Sequence, residues 1–313
     1  MCCAIFFFKA QAELLFLLAF NRDEFFSRPT SPVHFWEDDK DVLAGRDLER
    51  HGTWLGVTRQ ARFAFLTNFR EVTPNRQTEA PSRGELVKNF LQGSASPMQY
   101  LLELPAGDYN GFNLVVGDIS TREVAYLSNR DSEGPLKFPP GTYGISNGNI
   151  NSAWPKVYIA KGGMQELQQT GNLEGRNIPW DDIFNDILGS TTEVEDEAQL
   201  PRTGLPTEWE RTLSPIFIKP HESSGGLYGT RQQMVLAIFE DGKAEVRERT
   251  CKADGSHETA SHAFRVDLSR RGSRELAQWR AEGSEANNVP NSHAGEQHSM
   301  HAPMQVSVRA GSA

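Results

Sequence analysis

The order of the predicted elements favours an α+β fold in which sheets are covered by layers of helices. Strand-like runs fill the first 70 residues, helical patterns follow, strands return from about 111 to 147, and a last hairpin closes the pattern near 250. Segregated groups of strands and helices are typical of layered α+β arrangements. No internal repeat, G-x-G-x-x-G or P-loop spacing occurs, so the sequence predicts no glycine loop for a nucleotide.

The first predicted element is a hairpin formed by the apolar runs 3–8 and 14–20, which flank the polar stretch KAQAE. Continuous apolar runs of this length predict strands that are buried on both faces. The alternative is a signal peptide, but no basic residue precedes the stretch, and Lys9, Gln11 and Glu13 interrupt it. Neither run approaches the roughly 20 apolar residues of a membrane helix, so we expect a hairpin and no transmembrane segment.

Further short runs rich in β-branched and aromatic residues predict the remaining strands. They are 41–47, 53–58, 62–69, 111–118, 123–129 and 142–147. In the block AGRDLERHGTWLG, glycines surround Trp54, which favours a tight hairpin with a packed indole over a binding role. The runs QMVLAIFE and KAEVRERT, joined by Asp241-Gly242, predict the closing hairpin.

Helix signals occupy the segments between these strands. Ser82 and Glu85 have the spacing of a capping box ahead of LVKNFL, and Gly93 follows it. Ser96-Pro97 predicts the start of a second helix. Helical patterns also cover 153–170 and begin again near Pro179, whereas 190–210 is polar and resembles a loop.

Composition limits the classes of partner and compartment. The 313 residues carry a formal net charge of -9, which argues against a nucleic-acid partner, because phosphate backbones require clustered Lys and Arg. The three cysteines, Cys2, Cys3 and Cys251, give no disulfide framework, so we expect a reducing, cytoplasmic location. We expect an ordered domain over 1–250 and a disordered tail over 251–313, with a short helix at 273–283.

Cys2 is the first candidate for chemistry. If Met1 is removed, Cys2 carries both its thiol and a free α-amino group with a pKa of about 8, so nucleophile and general base lie together. Pairing of 3–8 with 14–20 would bring Arg22 beside the thiol and Asp23 beside the amine. The alternative is structural: every chain has a second residue, and Arg22 and Asp23 can form a salt bridge at a solvated strand end.

Several blocks in the same order resemble the transport and Golgi organisation 2 family, also called NRDE proteins, over about residues 1–250. The blocks are MCCAIFF, NRDEFFSRPT, AGRDLERHGTWLGV, TNFRE, SRGELVKNFL, YNGFNLVVGD, YGISNGNINSAWPKV and YGTRQQMVL. The resemblance implies a role in Golgi organisation, protein secretion, and the handling of haem or of acyl-CoA and lipids. It also implies Golgi or mitochondrial association in addition to the cytoplasm.

That family in turn resembles the cysteine branch of the N-terminal nucleophile (Ntn) hydrolases. The resemblance implies a four-layer αββα sandwich of two mainly antiparallel sheets. It assigns the nucleophile to Cys2, its neighbours to Arg22 and Asp23, oxyanion donors to Asn68 and Asn147, and a late arginine to Arg231. Chemistry of this type requires no cofactor.

Three functions stay open from the sequence. The first is a trafficking and homeostasis factor that binds haem or an acyl-CoA in an apolar cleft lined by the aromatic strands. The second is an Ntn-type amidohydrolase or thioesterase that uses Cys2, and the third is a scaffold whose pocket binds a partner. We expect no metal site, because His51 and the tail histidines His293, His298 and His301 have no companions at metal spacing.

Overall fold

The computed structural model describes residues 2–9, 11–71, 77–131, 133–150, 152–171, 173 and 176–269. Two sheets lie face to face, and helices cover the face of each sheet that points away from the other. We call the facing surfaces inner and the helix-covered surfaces outer. All described strand pairings are antiparallel, so the expected four-layer αββα sandwich is confirmed.

The first sheet has the order β10-β1-β2-β12-β13-β14, and β11 pairs with β12. Its strands are β1 (Cys2–Phe8), β2 (Leu14–Phe25), β10 (Gly141–Ile145), β11 (His221–Ser223), β12 (Gly226–Phe239), β13 (Lys243–Cys251) and β14 (His257–Arg265). The predicted N-terminal hairpin is β1–β2, and the predicted closing hairpin is β12–β13, where Gly242 adopts φ +83° in the turn.

The second sheet runs in sequence order from β3 to β9. Its strands are β3 (Thr30–Phe35), β4 (Val42–Asp47), β5 (Leu55–Thr58), β6 (Arg62–Asn68), β7 (Phe112–Asp118), β8 (Glu123–Ser128) and β9 (Leu136–Lys137). The sequence analysis missed β3, because its residues TSPVHF are half exposed and include a proline.

The helices form the two outer layers. Against the second sheet lie α1 (Gly84–Gln92) and α2 (Pro97–Glu103); against the first lie α3 (Pro155–Gln169) and α4 (Trp180–Asp182), which continues as a π-helix over Ile183–Ile187. A short α5 (Thr207–Thr212) lies in the segment expected to be a loop. Ser96 caps α2 as predicted, whereas the N-cap of α1 is Arg83 and makes no side-chain cap bond, so the expected capping box is absent.

Aromatic side chains fill the space between the sheets. Even-numbered residues of β1, and of β2 from Phe16 onward, point inward, and Phe6, Phe16 and Phe20 meet Phe63 and Phe65 of the second sheet. The Phe16 and Phe63 rings stack with centroids 3.9 Å apart. Each buried ring of this kind contributes roughly 1.5–3 kcal/mol. These rings pack against one another in the core between the two sheets.

The folded part extends beyond the expected boundary at residue 250. That residue lies inside β13, and β14 then adds a strand that pairs with β13 over its full length. Six of the nine residues in its sequence HETASHAFR are exposed, which weakens the strand pattern. The helix predicted at 273–283 and the three tail histidines lie outside the described residues. Within the described residues, no helix combines the length and apolarity needed to cross a bilayer.

Candidate functional site

Cys2 begins a central strand of the first sheet and points inward. It is directly opposite Arg22 in the β1–β2 register and is 5% exposed. The Ser146 Oγ donates a 2.8 Å hydrogen bond to the Cys2 carbonyl oxygen, which fixes the start of the strand on its other side. Cys3, the next residue of the strand, points outward into the helix-covered core and is 1% exposed.

A cleft of ≈ 720 Å³ opens above Cys2. Of the predicted site residues, Arg22, Asp23 and Asn68 line it together with Cys2, whereas Asn147 and Arg231 are not among its lining residues. The rest of its described wall is largely polar, with charged side chains from the β2 end, from the β4–β5 connection and from Arg83. The structure therefore brings four of the six predicted residues to one cavity.

The tetrapeptide Asn21-Arg22-Asp23-Glu24 continues β2 and alternates between the two faces of the sheet. Asn21 points outward, where its Nδ2 donates to the carbonyl oxygens of Leu188 and Ile216 at 2.8 and 2.9 Å. Arg22 and Glu24 point inward, and Glu24 accepts a hydrogen bond from the Phe25 amide. Thus Asn21 anchors the outer layer while its neighbour contributes to the cleft.

Arg22 is a buried cation held by three groups. Its Nη1 donates to Gln232 Oε1 at 2.9 Å, its Nη2 lies 3.5 Å from Glu24 Oε2, and its guanidinium lies 4.3 Å from the Trp54 ring centroid. Trp54 is therefore both a packed core residue, as predicted, and a wall of the site. A planar guanidinium on an indole face is a favourable cation–π geometry.

Asp23 lies on the outer face among other buried polar groups. Thr230 Oγ1 donates to Asp23 Oδ1 at 2.7 Å, and the Tyr228 hydroxyl donates to the Asp23 carbonyl oxygen at 3.2 Å. Lys156 is buried nearby; burial lowers its pKa, and the Asp23 carboxylate opposes that change. Burial also raises the pKa of Tyr228 well above its ordinary value, so its hydroxyl stays a donor.

The electrostatic state of Cys2 follows from its burial. Burial raises the pKa of the Cys2 thiol above its ordinary value, Asp23 raises it further, and Arg22 and a hydrogen bond from the Asp23 backbone act in the opposite direction. The resting side chain is therefore a thiol at neutral pH. A base must take its proton before the sulfur can act as a nucleophile.

Asn68 and Asn147 are in contact with each other. Asn147 is fully buried, and its Nδ2 donates to the Asn68 carbonyl oxygen at 2.7 Å, while its own carbonyl oxygen accepts from the Arg70 amide at 2.7 Å. Arg70 also forms a buried ion pair with Glu210 of α5 and stacks over Trp154 at 4.7 Å. Asn147 thereby fixes the backbone that presents Asn68 to the cleft.

Arg231 lies at an irregularity of β12, outside the cleft. Its Nη1 donates to the carbonyl oxygens of Phe25 and Arg28 at 3.0 and 2.6 Å. It therefore ties the chain between β2 and β3 to the first sheet. No contact of Arg231 with Cys2 is seen, and the sequence assigned its role by motif alone.

Sequence reasoning missed Glu24, Gln232 and Tyr228 as neighbours of the predicted residues. Glu24 stands next to Asp23 in the tetrapeptide, and Gln232 next to Arg231, so both fell within quoted motifs. Only the register of β12 against β2 shows that Gln232 faces Arg22. Within the described part of the chain, no group of three His, Cys, Asp or Glu side chains could hold a metal ion, and His51 is exposed.

The αββα sandwich, with Cys2 at the start of a central strand beneath a cleft, has the architecture that the resemblance to Ntn hydrolases implied. The sequence match then gives the family. The chain belongs to the Transport and Golgi organisation 2 family, whose model matches residues 1–253.

Relatives in this family align over most of the chain. The Transport and Golgi organization protein 2 homolog of Bos taurus is 34% identical over 262 residues, which cover 80% of this chain and 92% of the relative. The Homo sapiens homolog is 32% identical over 260 residues, covering 79% and 91%. The Drosophila melanogaster Transport and Golgi organization protein 2 is 26% identical over 249 residues, covering 75% and 85%.

Solved structures of low sequence identity also align. A conjugated bile acid hydrolase from Clostridium perfringens gives a TM-score of 0.44 at 9% identity, covering 87% of this chain and 94% of that one. An N-acylethanolamine-hydrolyzing acid amidase ortholog from Caenorhabditis elegans gives a TM-score of 0.32 at 9% identity, covering 61% and 86%.

Proposed function

We propose that this chain is a cysteine hydrolase of the Ntn type that cleaves an amide or thioester bond in a compact, polar acyl compound. The observation that carries the proposal is the direct register of Cys2 with Arg22 at the base of a cleft that Asn68 also lines. The proposal requires removal of Met1, which leaves the α-amino group on Cys2.

The chemistry needs no group from outside the site. The α-amine of Cys2 accepts the thiol proton as the sulfur forms a bond to the acyl carbon. The bond from that carbon to the leaving nitrogen or sulfur then breaks, and the same proton passes to the leaving atom. Water adds to the resulting acyl-cysteine thioester, which releases the acid and restores the thiol.

Charge in this reaction develops at two places. Arg22 beside the sulfur favours the thiolate, because an opposite charge within a few ångströms lowers a thiol pKa. The Asn68 amide would donate to the developing oxyanion, and one such donor contributes about 3 kcal/mol to lowering a barrier. Asn147 supports this role through its bond to the Asn68 carbonyl oxygen.

The cleft lining supports a polar substrate. Charged side chains of both signs surround its opening: Glu24, Arg28, Asp47, Glu49, Arg50 and Arg83. Arg28 bonds Asp47 at 2.7 Å, so part of this charge is already paired. A long aliphatic chain would cover these charges without compensating their lost hydration, whereas amide, carboxylate or ammonium groups can pair with them.

The test combines mass spectrometry with activity. We expect the intact mass of the natively produced protein to lack Met1 and to gain one rapid adduct at Cys2 from an acylating probe. We expect Cys2→Ala to abolish hydrolysis of a panel of acyl amides and thioesters, and the buried neighbour Cys3→Ala to retain it. A retained Met1, or hydrolysis that survives Cys2→Ala, would overturn the proposal.

A second candidate is a binding factor that acts in transport and Golgi organisation without turnover. Membership of a family named for these processes favours it. In this case the cleft would carry haem or an acyl-CoA, and cytoplasmic protein would associate with Golgi or mitochondrial membranes. Saturable binding of haem or of a long-chain acyl-CoA by the Cys2→Ala variant would support it; absence of saturation with both ligands would count against it.

A further inference from the structure

An extra residue in β12 changes which way the strand faces beside the site. Thr230 pairs with Asp23 and Gln232 pairs with Arg22, so Arg231 is inserted between two consecutive positions of β2. In a regular strand, residues 230 and 232 would point to the same face. Here Thr230 bonds the outward Asp23, and Gln232 bonds the inward Arg22. The bulge therefore places Gln232 on the inner face opposite Arg22, while Thr230 stays on the outer face opposite Asp23.

The reversal is visible along the whole strand. Tyr228, before the bulge, packs outward with the α5 region, whereas Met234 and Leu236, after it, point into the core between the sheets. Without the inserted residue, the register set by Thr230 and Asp23 would place Arg231, and not Gln232, opposite Arg22. Bulges often serve to redirect a side chain next to an active site.

Gln232 holds Arg22 in one orientation. Its Oε1 accepts from Arg22 Nη1 at 2.9 Å, and its Nε2 donates to Thr30 Oγ1 at 3.2 Å. A flipped amide would point N–H groups at the guanidinium, which has no acceptor. Gln232 is 1% exposed, so water does not replace either bond.

We propose that Gln232 is a positioning residue that keeps the Arg22 guanidinium beside Cys2 and so favours the thiolate. The proposal rests on the proposed function, because it requires that Cys2 reacts as a thiolate. Without Gln232, the remaining polar partner of the guanidinium among the described contacts is Glu24, 3.5 Å away. Arg22 would then shift toward Glu24, and its stabilisation of the thiolate would weaken.

The experiment measures the rate of Cys2 alkylation by iodoacetamide against pH, with the adduct located by mass spectrometry. For Gln232→Met, we expect the profile to move up by about one pH unit, which makes alkylation roughly tenfold slower at pH 7. Gln233→Met is the matched control: Gln233 is equally buried on the same strand but pairs with Asn21. We expect the control to leave the alkylation profile unchanged.

The outcomes separate this proposal from the proposed function. A reactive Cys2 with the same profile in wild type and Gln232→Met overturns the positioning role and leaves the hydrolase proposal in place. An inert Cys2 in the wild-type protein overturns both. If Gln232→Met does not fold, Gln232→Asn is used: its side chain is one methylene shorter and cannot keep the 2.9 Å bond to Arg22 in place, so the profile must also move up, and an unchanged profile overturns the positioning role.

Discussion

Glu248 is a fully buried carboxyl group whose titration should set the pH dependence of folding. It lies on β13 between the sheets, where Oε1 accepts from the Val33 amide at 3.0 Å and from Thr250 Oγ1 at 3.2 Å. Burial raises its pKa to about 7, although both bonds and the nearby Arg22 act in the opposite direction. Replacing Glu248 with Gln keeps an acceptor oxygen and removes the titration.

The magnitude follows from the two protonation equilibria. The ordinary glutamate pKa of 4.5 applies to the unfolded chain, and about 7 to the folded protein. Between these values the folded state binds more protons, so this group makes the free energy of unfolding fall as pH rises through that window. The loss is about 2.5 kcal/mol between pH 5 and pH 8, and it levels off above the folded pKa.

The assay is urea unfolding of both proteins at pH 5 and pH 8. We expect the free energy of unfolding of wild type, relative to Glu248→Gln, to be about 2.5 kcal/mol lower at pH 8 than at pH 5. Taking the difference between the two proteins removes the contribution of the other titrating groups, which both proteins share. Identical pH dependence in the two proteins would refute the reasoning.

Two further substitutions test the packing around the site. Gly45→Ala would place a Cβ 2.6 Å from the Trp54 ring, so we expect the free energy of unfolding, measured by thermal unfolding, to fall by roughly 1–3 kcal/mol and Cys2 alkylation to slow. Gly107→Ala is the control: Gly107 has open space around it, so we expect neither quantity to change. Arg70→Ala leaves Glu210 buried without its ion-pair partner, and we expect a loss of about 3–5 kcal/mol in urea unfolding. Loss of the more exposed Arg130–Glu71 pair by Arg130→Ala should cost about 1 kcal/mol or less, and an equal loss for both would contradict the argument.

The hairpins were predictable because their signals are local. Two continuous apolar runs around a polar turn give β1 and β2, and the Asp241-Gly242 turn gives the β12–β13 hairpin. The position of Arg22 beside Cys2 then followed from pairing alone. The strands β1 and β2 are buried on both faces because their sheet packs against the second sheet on its inner face and against helices on its outer face.

Other features depend on contacts distant in sequence. β14 has a mostly exposed pattern and is a strand because β13 offers a free edge. Periodicity shows that the aromatic side chains of β1 and β2 are buried, but not that the second sheet covers them. Glu248 gave no signal either, because its burial arises where β3 of one sheet meets β13 of the other.

Because of the bulge in β12, the sequence predicts which residues of the tetrapeptide Asn21-Arg22-Asp23-Glu24 lie at the site, but not the partners of their side chains. Arg22 and Asp23 are adjacent, so they must point to opposite faces of β2. Continued from the Thr230–Asp23 pair, a regular strand would place Arg231 opposite Arg22. The bulge instead sends Arg231 to the chain between β2 and β3 and gives Arg22 the amide of Gln232. A one-residue insertion does not change the composition or the periodicity of the sequence. The partner of Arg22 could therefore be identified only from the register of β12 against β2.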